Sequence, residues 1–192
     1  MATSVLYMSM SVDGYIAGPN DRPGNPGGDG FDRLHDWGFT PDGDFHRTGP
    51  AGDVNWEILA TGAVLTGRRT AEQAEHWGGD HHGVPMIVLS HRPAPASVAD
   101  NPMVRYVSDG IESAMAQAKA AAGDRDVMVH GASTAQQALE AGVLDEIQLH
   151  LIPVLFGRGR RLFELLPARI ELDVVRAVHT PEATHLRYRV RS

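Results

Sequence analysis

Three short turns carry the residue types that hold anionic ligands. Thr66-Gly67-Arg68-Arg69-Thr70, Ser90-His91-Arg92 and Gly131-Ala132-Ser133-Thr134 each follow a short apolar run. Each therefore stands at the carboxyl end of an expected strand, the edge at which open α/β sheets bind ligands. The glycines leave backbone N–H groups accessible, Ser133 and Thr134 add hydroxyls, and a helix opening at residue 131 turns its positive dipole end toward a pyrophosphate. Arg68, Arg69 and Arg92 add planar guanidinium groups that pair with phosphate oxygens. Singly, the turns have plainer explanations: Ser133 and Thr134 as N-caps, with Gln136 or Gln137 completing a capping box, and Arg68 and Arg69 as solvated charges. Three such turns in one register point to anion binding.

Acids that could supply a proton are Asp13, Asp53 and Glu57, although Asp13-Gly14 is also ordinary turn chemistry. Trp37 and Trp56 are candidates to stack on a flat ring, or else pack in the core or in a lid. Gly157-Arg158-Gly159-Arg160-Arg161-Leu162 starts like a dinucleotide fingerprint but ends in Leu with no helix to open, so a Rossmann motif is rejected. It reads as a basic turn, or as a loop in which Phe156, Gly157 and Arg158 touch an anionic substrate. His76, Asp80, His81 and His82 lack a ligand spacing, are taken as solvated loop histidines, and give no expectation of a metal site. No Gly-x-Ser-x-Gly elbow supports a serine hydrolase.

The elements that must position these residues follow from periodicity. Residues 5–12, 63–65, 86–89, 103–107 and 127–129 are apolar runs of strand type, and helices are expected over 53–60 with Asp53 as N-cap and from Arg68 toward His76. A third runs from an Asp109/Glu112 capping box to Gly123, and a fourth from the 131–134 turn through Leu139 to Gly142. Ile147, Leu149 and Leu151 alternate with Gln148 and His150, as Leu186, Tyr188 and Val190 alternate with arginines, giving two half-exposed strands. Between them, residues 170–178 form a strand bulged near Val174-Val175, where the alternation slips. Alternating strands and helices demand a largely parallel sheet, and the last third adds antiparallel edge strands.

A length of 192 residues with 42% hydrophobic and 21% charged residues fits one globular domain. Net charge −7 argues against a nucleic-acid partner. No run is long enough to cross a membrane and the start lacks a secretory signal, so a cytoplasmic protein is expected. With no cysteine there is no disulfide, thiolate site or Cys nucleophile. Sixteen of the 17 basic residues are Arg, Lys119 being the lone Lys, which directs attention to guanidinium–phosphate pairing.

Five segments then join into one pattern: Met10 to Gly18, Val64 to Thr70, Val88 to Arg92, Val129 to Thr134 and Pro153 to Phe163. In order and spacing the chain resembles the dihydrofolate-reductase-like superfamily, specifically stand-alone domains similar to the C-terminal reductase domain of the riboflavin-biosynthesis deaminase-reductase. The resemblance implies a three-layer α/β/α sandwich around a mostly parallel mixed sheet, NADPH as hydride donor, and a homodimer. It implies that Gly67, Arg68, Arg69 and Thr70 face the adenosine-side phosphates. Ser90, His91 and Arg92 would then face the 2′-phosphate, and Gly131, Ala132, Ser133 and Thr134 the pyrophosphate. Ser9, Ile16 and Ala17 would line the nicotinamide end. The Gly/Pro/Asp-rich residues 19–50 resemble an enlarged lid. Where the riboflavin-pathway enzymes have Lys in the first strand and Asp-Asp-Pro after the second, this chain has Tyr7 and Ala71-Glu72-Gln73. The expectation is an NADPH-dependent reductase of a planar heterocyclic C=N or C=O, pterin-like or ribosylamino-pyrimidine-like, the alternative being a non-catalytic NADPH- or pterin-binding protein.

Overall fold

The structure is a computed structural model that describes residues 2–164, 166 and 168–191. Its strands form one mixed eight-stranded sheet in the order β5-β4-β3-β6-β1-β7-β10-β9 and a small β2-β8 pair, and the chain divides into two compact units, residues 1–6 with 60–145 and residues 7–59 with 146–192. The strands are β1 (Ser4–Ser11), β2 (Tyr15–Ala17), β3 (Ala63–Gly67), β4 (Met86–Leu89), β5 (Val104–Val107), β6 (Val127–His130), β7 (Glu146–Ile152), β8 (Arg160–Arg161), β9 (Leu172–His179) and β10 (Thr184–Val190). The helices are α1 (Gly49–Leu59), α2 (Arg68–Gln73), α3 (Ile111–Ala122) and α4 (Ala132–Glu140). No helix among the described residues is long and apolar enough to cross a membrane.

In the first unit, β3 pairs in parallel with β4 and β6, β4 with β5, and β6 with the start of β1. Covered on both faces, these strands must be apolar throughout, and Val64, Leu65, Met86, Val88, Val127 and Val129 are fully buried. Each such side chain contributes about 1.5–3 kcal/mol. On α3, the small residues Ala114, Ala118 and Ala122 recur on one turn-spaced face and are buried with Met115, and Gly123, at φ 65°, ends the helix.

Two helix starts differ from expectation. α1 begins at Gly49 rather than at Asp53, because Pro50 fits the first turn, where its missing N–H costs no bond. Asp53 is consequently an exposed residue inside the helix. Gly110 takes the N-cap position of α3 with no side-chain cap bond, so the Asp109/Glu112 capping box does not form. The helix expected to reach His76 stops at Gln73. Beyond it Glu75, His76 and Trp77 all have positive φ (49°, 53° and 49°), followed by Gly78 at 79°. A left-handed turn of non-glycine residues costs roughly 1–2 kcal/mol per residue, and here it is held by His76 Nε2 against the Tyr106 hydroxyl (2.8 Å) and by Asn101 Nδ2 donating to Gly79 O (2.9 Å).

In the second unit, β10 lies antiparallel between β7 and β9. Register slips where Arg187 opposes Arg176 and Tyr188 opposes Val174, leaving Val175 as the extra residue of the expected bulge. Both strands are half-exposed, and burial along them does not follow polarity. Gln148 (0% exposed), His150 (2%) and His185 (1%) are buried, whereas on the apolar face Ile147 is buried but Leu149, Leu151 and Leu186 are only half-buried and Val174 is 70% exposed. The polar face is therefore the inner one, because it packs against a polar layer: Glu57 of α1 accepts from Arg176 Nη2 (2.7 Å) and lies 3.5 Å from Arg187 Nη1. Burying arginine is tolerable only with such partners, and Glu146 supplies a second one to Arg187 Nε at 2.6 Å.

Candidate functional site: a paired glycine–threonine cradle

In the first unit, β3 and β6 are adjacent parallel strands with Thr66 opposite His130; β3 ends in Gly67 and β6 is followed directly by Gly131, and each glycine has a threonine three residues on. The two turns interlock. A Cβ on Gly67 would lie 3.0 Å from Thr134 Oγ1, and one on Gly131 would lie 2.7 Å from Thr70 Oγ1, while Gly131 also holds φ at 91°. The helix starts α2 and α4 thus open side by side; at Gly131 the close approach and the positive φ both favour glycine, while at Gly67 a Cβ would only press on the Thr134 hydroxyl. Reading the turns one at a time missed this reciprocity, although the repeated Gly-x-x-Thr spacing was the signal for it. Ser133 and Thr134 lie within the first turn of α4 rather than capping it; Gln137 Nε2 donates back to Ser133 Oγ (3.0 Å), and the N-cap is Gly131.

The arginines of the cradle differ in what they can do. Arg68 is committed: Nη1 donates to Pro93 O (2.7 Å) and Ser90 Oγ (3.3 Å), and Nε pairs with Glu72 at 2.7 Å. Ser90 is likewise internal, its hydroxyl accepting from Arg92 N (3.0 Å) and donating to Arg92 O (2.8 Å). Both therefore shape the 90–93 turn, and the polar side chains of that turn left at the surface are His91 and Arg92. Arg69 is exposed on the first turn of α2. Ala132 is buried beneath the start of α4.

Nearby histidines are not the solvated loop residues expected. His76 is buried against Tyr106, and burial holds its imidazole below the usual value; burial likewise pushes His81 down to about 4, with His82 adding to the effect. Among the described residues no group of three metal-ligating side chains converges.

The second unit holds the remaining candidates, and their surroundings assign them structural work. Asp13 accepts from the Ser11 hydroxyl (2.6 Å) and from Phe156 N (3.0 Å) at Oδ1, and from Gly157 N (2.7 Å) at Oδ2. It clasps the loop containing Phe156, Gly157 and the exposed Arg158. The Ser11 hydroxyl, with the two N–H groups, lowers its pKa to about 2, so it stays ionised and is a poor proton donor. Glu57 is tied up by Arg176 and Arg187 as described. Trp37, 4% exposed, donates Nε1–H to Ser9 Oγ (2.9 Å) and packs its ring 4.2 Å from His150 and 4.7 Å from His185, leaving no open face for a substrate ring. Trp56 is half-exposed, with Nε1 on Arg47 O at 3.1 Å. Ile16 and Ala17 are buried in β2.

Asp13 carries a pH signature. Its folded pKa lies below the ordinary 3.8, so its contribution is present above about pH 4 and is lost as pH falls toward 2. Asp13→Asn is expected to lower the melting temperature at pH 7, with the gap to wild type closing between about pH 4 and 2 in thermal scans. A pH-independent gap would show that the carboxylate charge is not what holds the loop.

Residues 3–186 match the family model of the RibD C-terminal domain. The chain belongs to that family. Among solved structures it is similar to a putative riboflavin biosynthesis protein from Shewanella sp. PV-4, at 22% identity, TM-score 0.77 and full coverage of both chains. It is also similar to a pyrimidine reductase-like protein from Corynebacterium diphtheriae, at 13% identity and TM-score 0.61 over 100% of this chain and 92% of that one. A dihydrofolate reductase from Enterococcus faecalis complexed with NADP(H) and RAB-propyl matches at 14% identity and TM-score 0.59, covering 99% and 97%. No curated protein matches the chain in sequence. These likenesses establish the dihydrofolate-reductase-like fold, and the family supports an oxidoreductase of the riboflavin-pathway reductase type.

Proposed function

We propose that this RibD C-terminal domain is an NADPH-dependent reductase of a planar heterocyclic C=N or C=O, of the pterin-like or ribosylamino-pyrimidine-like class. The observation that carries the reading is the cradle: two helix starts brought together by Gly67 against Thr134 and Gly131 against Thr70. Its residues fit a dinucleotide phosphate. The N–H groups and hydroxyls of Gly131 to Thr134 would hold a pyrophosphate, Gly67 to Thr70 a second phosphate edge, and His91 with Arg92 a terminal 2′-phosphate. When bound, the cofactor supplies the hydride. The protein binds and orients it, and Arg68 with Ser90 fix the turn that presents Arg92. Ser9, Ile16 and Ala17 remain the proposed nicotinamide-end residues, with Ser9 held by the Trp37 indole.

Arg92→Ser is accordingly expected to weaken NADPH about ten- to a hundredfold, the worth of one charge-assisted contact at roughly 1.5–3 kcal/mol, and to leave NADH unchanged in a calorimetric titration. The reaction itself is tested by NADPH absorbance loss across pterins, pyrimidine ribosides and simple carbonyls. Binding without oxidation of NADPH would favour the second reading, a non-catalytic binder. One observation supports that reading: Asp13 is latched, Glu57 is paired and Asp53 lies exposed on α1. In the reductase reading the proton then comes from water.

The lid reading of residues 19–50 narrows. Leu34 and Trp37 anchor the middle of the segment in a core with Val54, Ile152 and Ala183, so the part free to close is the exposed tip, where Phe39 and Phe45 stack at 4.6 Å.

A homodimer belongs to the same proposal. The half-buried leucines of β7 and β10 continue into Val174 on β9, the last strand of the sheet, and a second copy of the chain would cover them. Val174→Lys is expected to shift the mass in light scattering from twice 20.7 kDa to that of a single chain while the far-UV spectrum stays native.

A further inference from the structure

The left-handed turn after α2 has no role in the cradle as described, yet three consecutive non-glycine residues, Glu75, His76 and Trp77, are held in it. Such backbone persists only where surrounding contacts enforce it, and it is concentrated at functional sites. Three contacts enforce it here: buried His76 on Tyr106, Asn101 on Gly79 O, and Trp77 N on Ala74 O at 2.7 Å. Their effect is to reverse the chain so that Trp77 leaves the direction of α2 and packs edge-on to His130 at 5.9 Å and to His81 at 4.7 Å. His130 is the residue immediately before Gly131, whose φ of 91° starts α4. Trp77 therefore stands beside the cradle, half-exposed, with a ring that no other aromatic covers face-on among the described residues.

We infer that Trp77 is a ligand-contacting residue of the cradle, and that it packs against the ring-bearing nicotinamide half of a dinucleotide whose pyrophosphate occupies Gly131 to Thr134. The inference rests on the cofactor reading above. An indole offers a large rigid face to a flat ring, and the strained turn fixes it in advance so that little ordering is left for binding. Burial holds His81 at about 4, so the neighbour that backs the indole is uncharged at neutral pH, as a wall for an apolar ring face requires.

The test compares two probes, NADPH and 2′,5′-ADP, which lacks the nicotinamide half. Trp77→Ala is expected to weaken NADPH about tenfold in calorimetric titrations and to leave 2′,5′-ADP unchanged, with Trp77→Phe restoring most of the loss. Tryptophan fluorescence quenched by NADPH in the wild type is expected to lose its main component in Trp77→Phe. Glu75→Gly separates ligand contact from folding, since glycine accepts φ 49° without strain. It is expected to raise the melting temperature while weakening NADPH severalfold, because the indole is less firmly aimed. Equal loss of both probes in Trp77→Ala would make Trp77 a purely structural residue and overturn the inference, as would unchanged NADPH affinity. A wild-type protein that binds neither probe would instead overturn the cofactor reading itself.

Discussion

Gly131→Ala is expected to weaken NADPH binding a hundredfold or more while leaving a folded protein. The added methyl group would lie 2.7 Å from Thr70 Oγ1 and would be attached to a residue with φ 91°. Both the close approach and the backbone conformation are then penalised, at a strain cost of about 1–3 kcal/mol. The start of α4 must shift to relieve it, and the N–H groups proposed to hold the pyrophosphate move with it. The expected loss of affinity is a hundredfold or more, about 2.7 kcal/mol, measured by calorimetry beside a far-UV spectrum that stays native. The double variant Gly131→Ala with Thr70→Ser probes the cause. The hydroxyl that makes the contact is kept but its methyl is removed, so binding should recover only slightly. Full recovery would show that crowding by the Thr70 methyl, and not the Gly131 conformation, sets the geometry.

The second large effect is on stability. Trp37→Ala should cost about 3–5 kcal/mol in urea unfolding, because the indole fills the core formed with Leu34, Val54, Ile152 and Ala183 and bonds Ser9. It also covers the His150–His185 pair, whose Nδ1 atoms lie 2.8 Å apart and require one ring to donate and the other to accept. His185 is held at about 4 by burial first and by the Arg176 charge next, so opening this core to water favours its protonation. Trp37→Phe keeps most of the apolar volume and loses the Ser9 bond, and should cost less than half as much. A Trp37→Ala variant within 1 kcal/mol of wild type would mean that residues 31–38 are not docked as described.

Much of this architecture was readable from the chain alone, for physical reasons. The continuous apolar runs at β3, β4 and β6 can only be strands covered on both faces, and the lost alternation at Val174-Val175 located the bulge. The turns of the cradle were visible as glycine beside hydroxyl and guanidinium groups. What periodicity could not give was which face of an alternating strand is inner. Gln148 and His150 have the same spacing whether they point to water or to a polar layer, and only Glu57, contributed by a distant helix, decides it. The left-handed turn at Glu75 to Trp77 was equally hidden, since the first glycine there is Gly78 and non-glycine residues seldom adopt positive φ. Asp13, Asp53 and Glu57 were read as acids because sequence reports a carboxylate but not its donors.

The central claim is that the Gly67–Thr70 and Gly131–Thr134 turns, with Arg92 beside them, form the binding site of a phosphorylated dinucleotide. Paired calorimetric titrations of the wild-type protein with NADPH and NADH test it most directly. The account predicts saturable binding of NADPH at least tenfold tighter than NADH, about 1.4 kcal/mol, with the difference removed by Arg92→Ser. Equal affinities for the two nucleotides, or no binding of either, would contradict it.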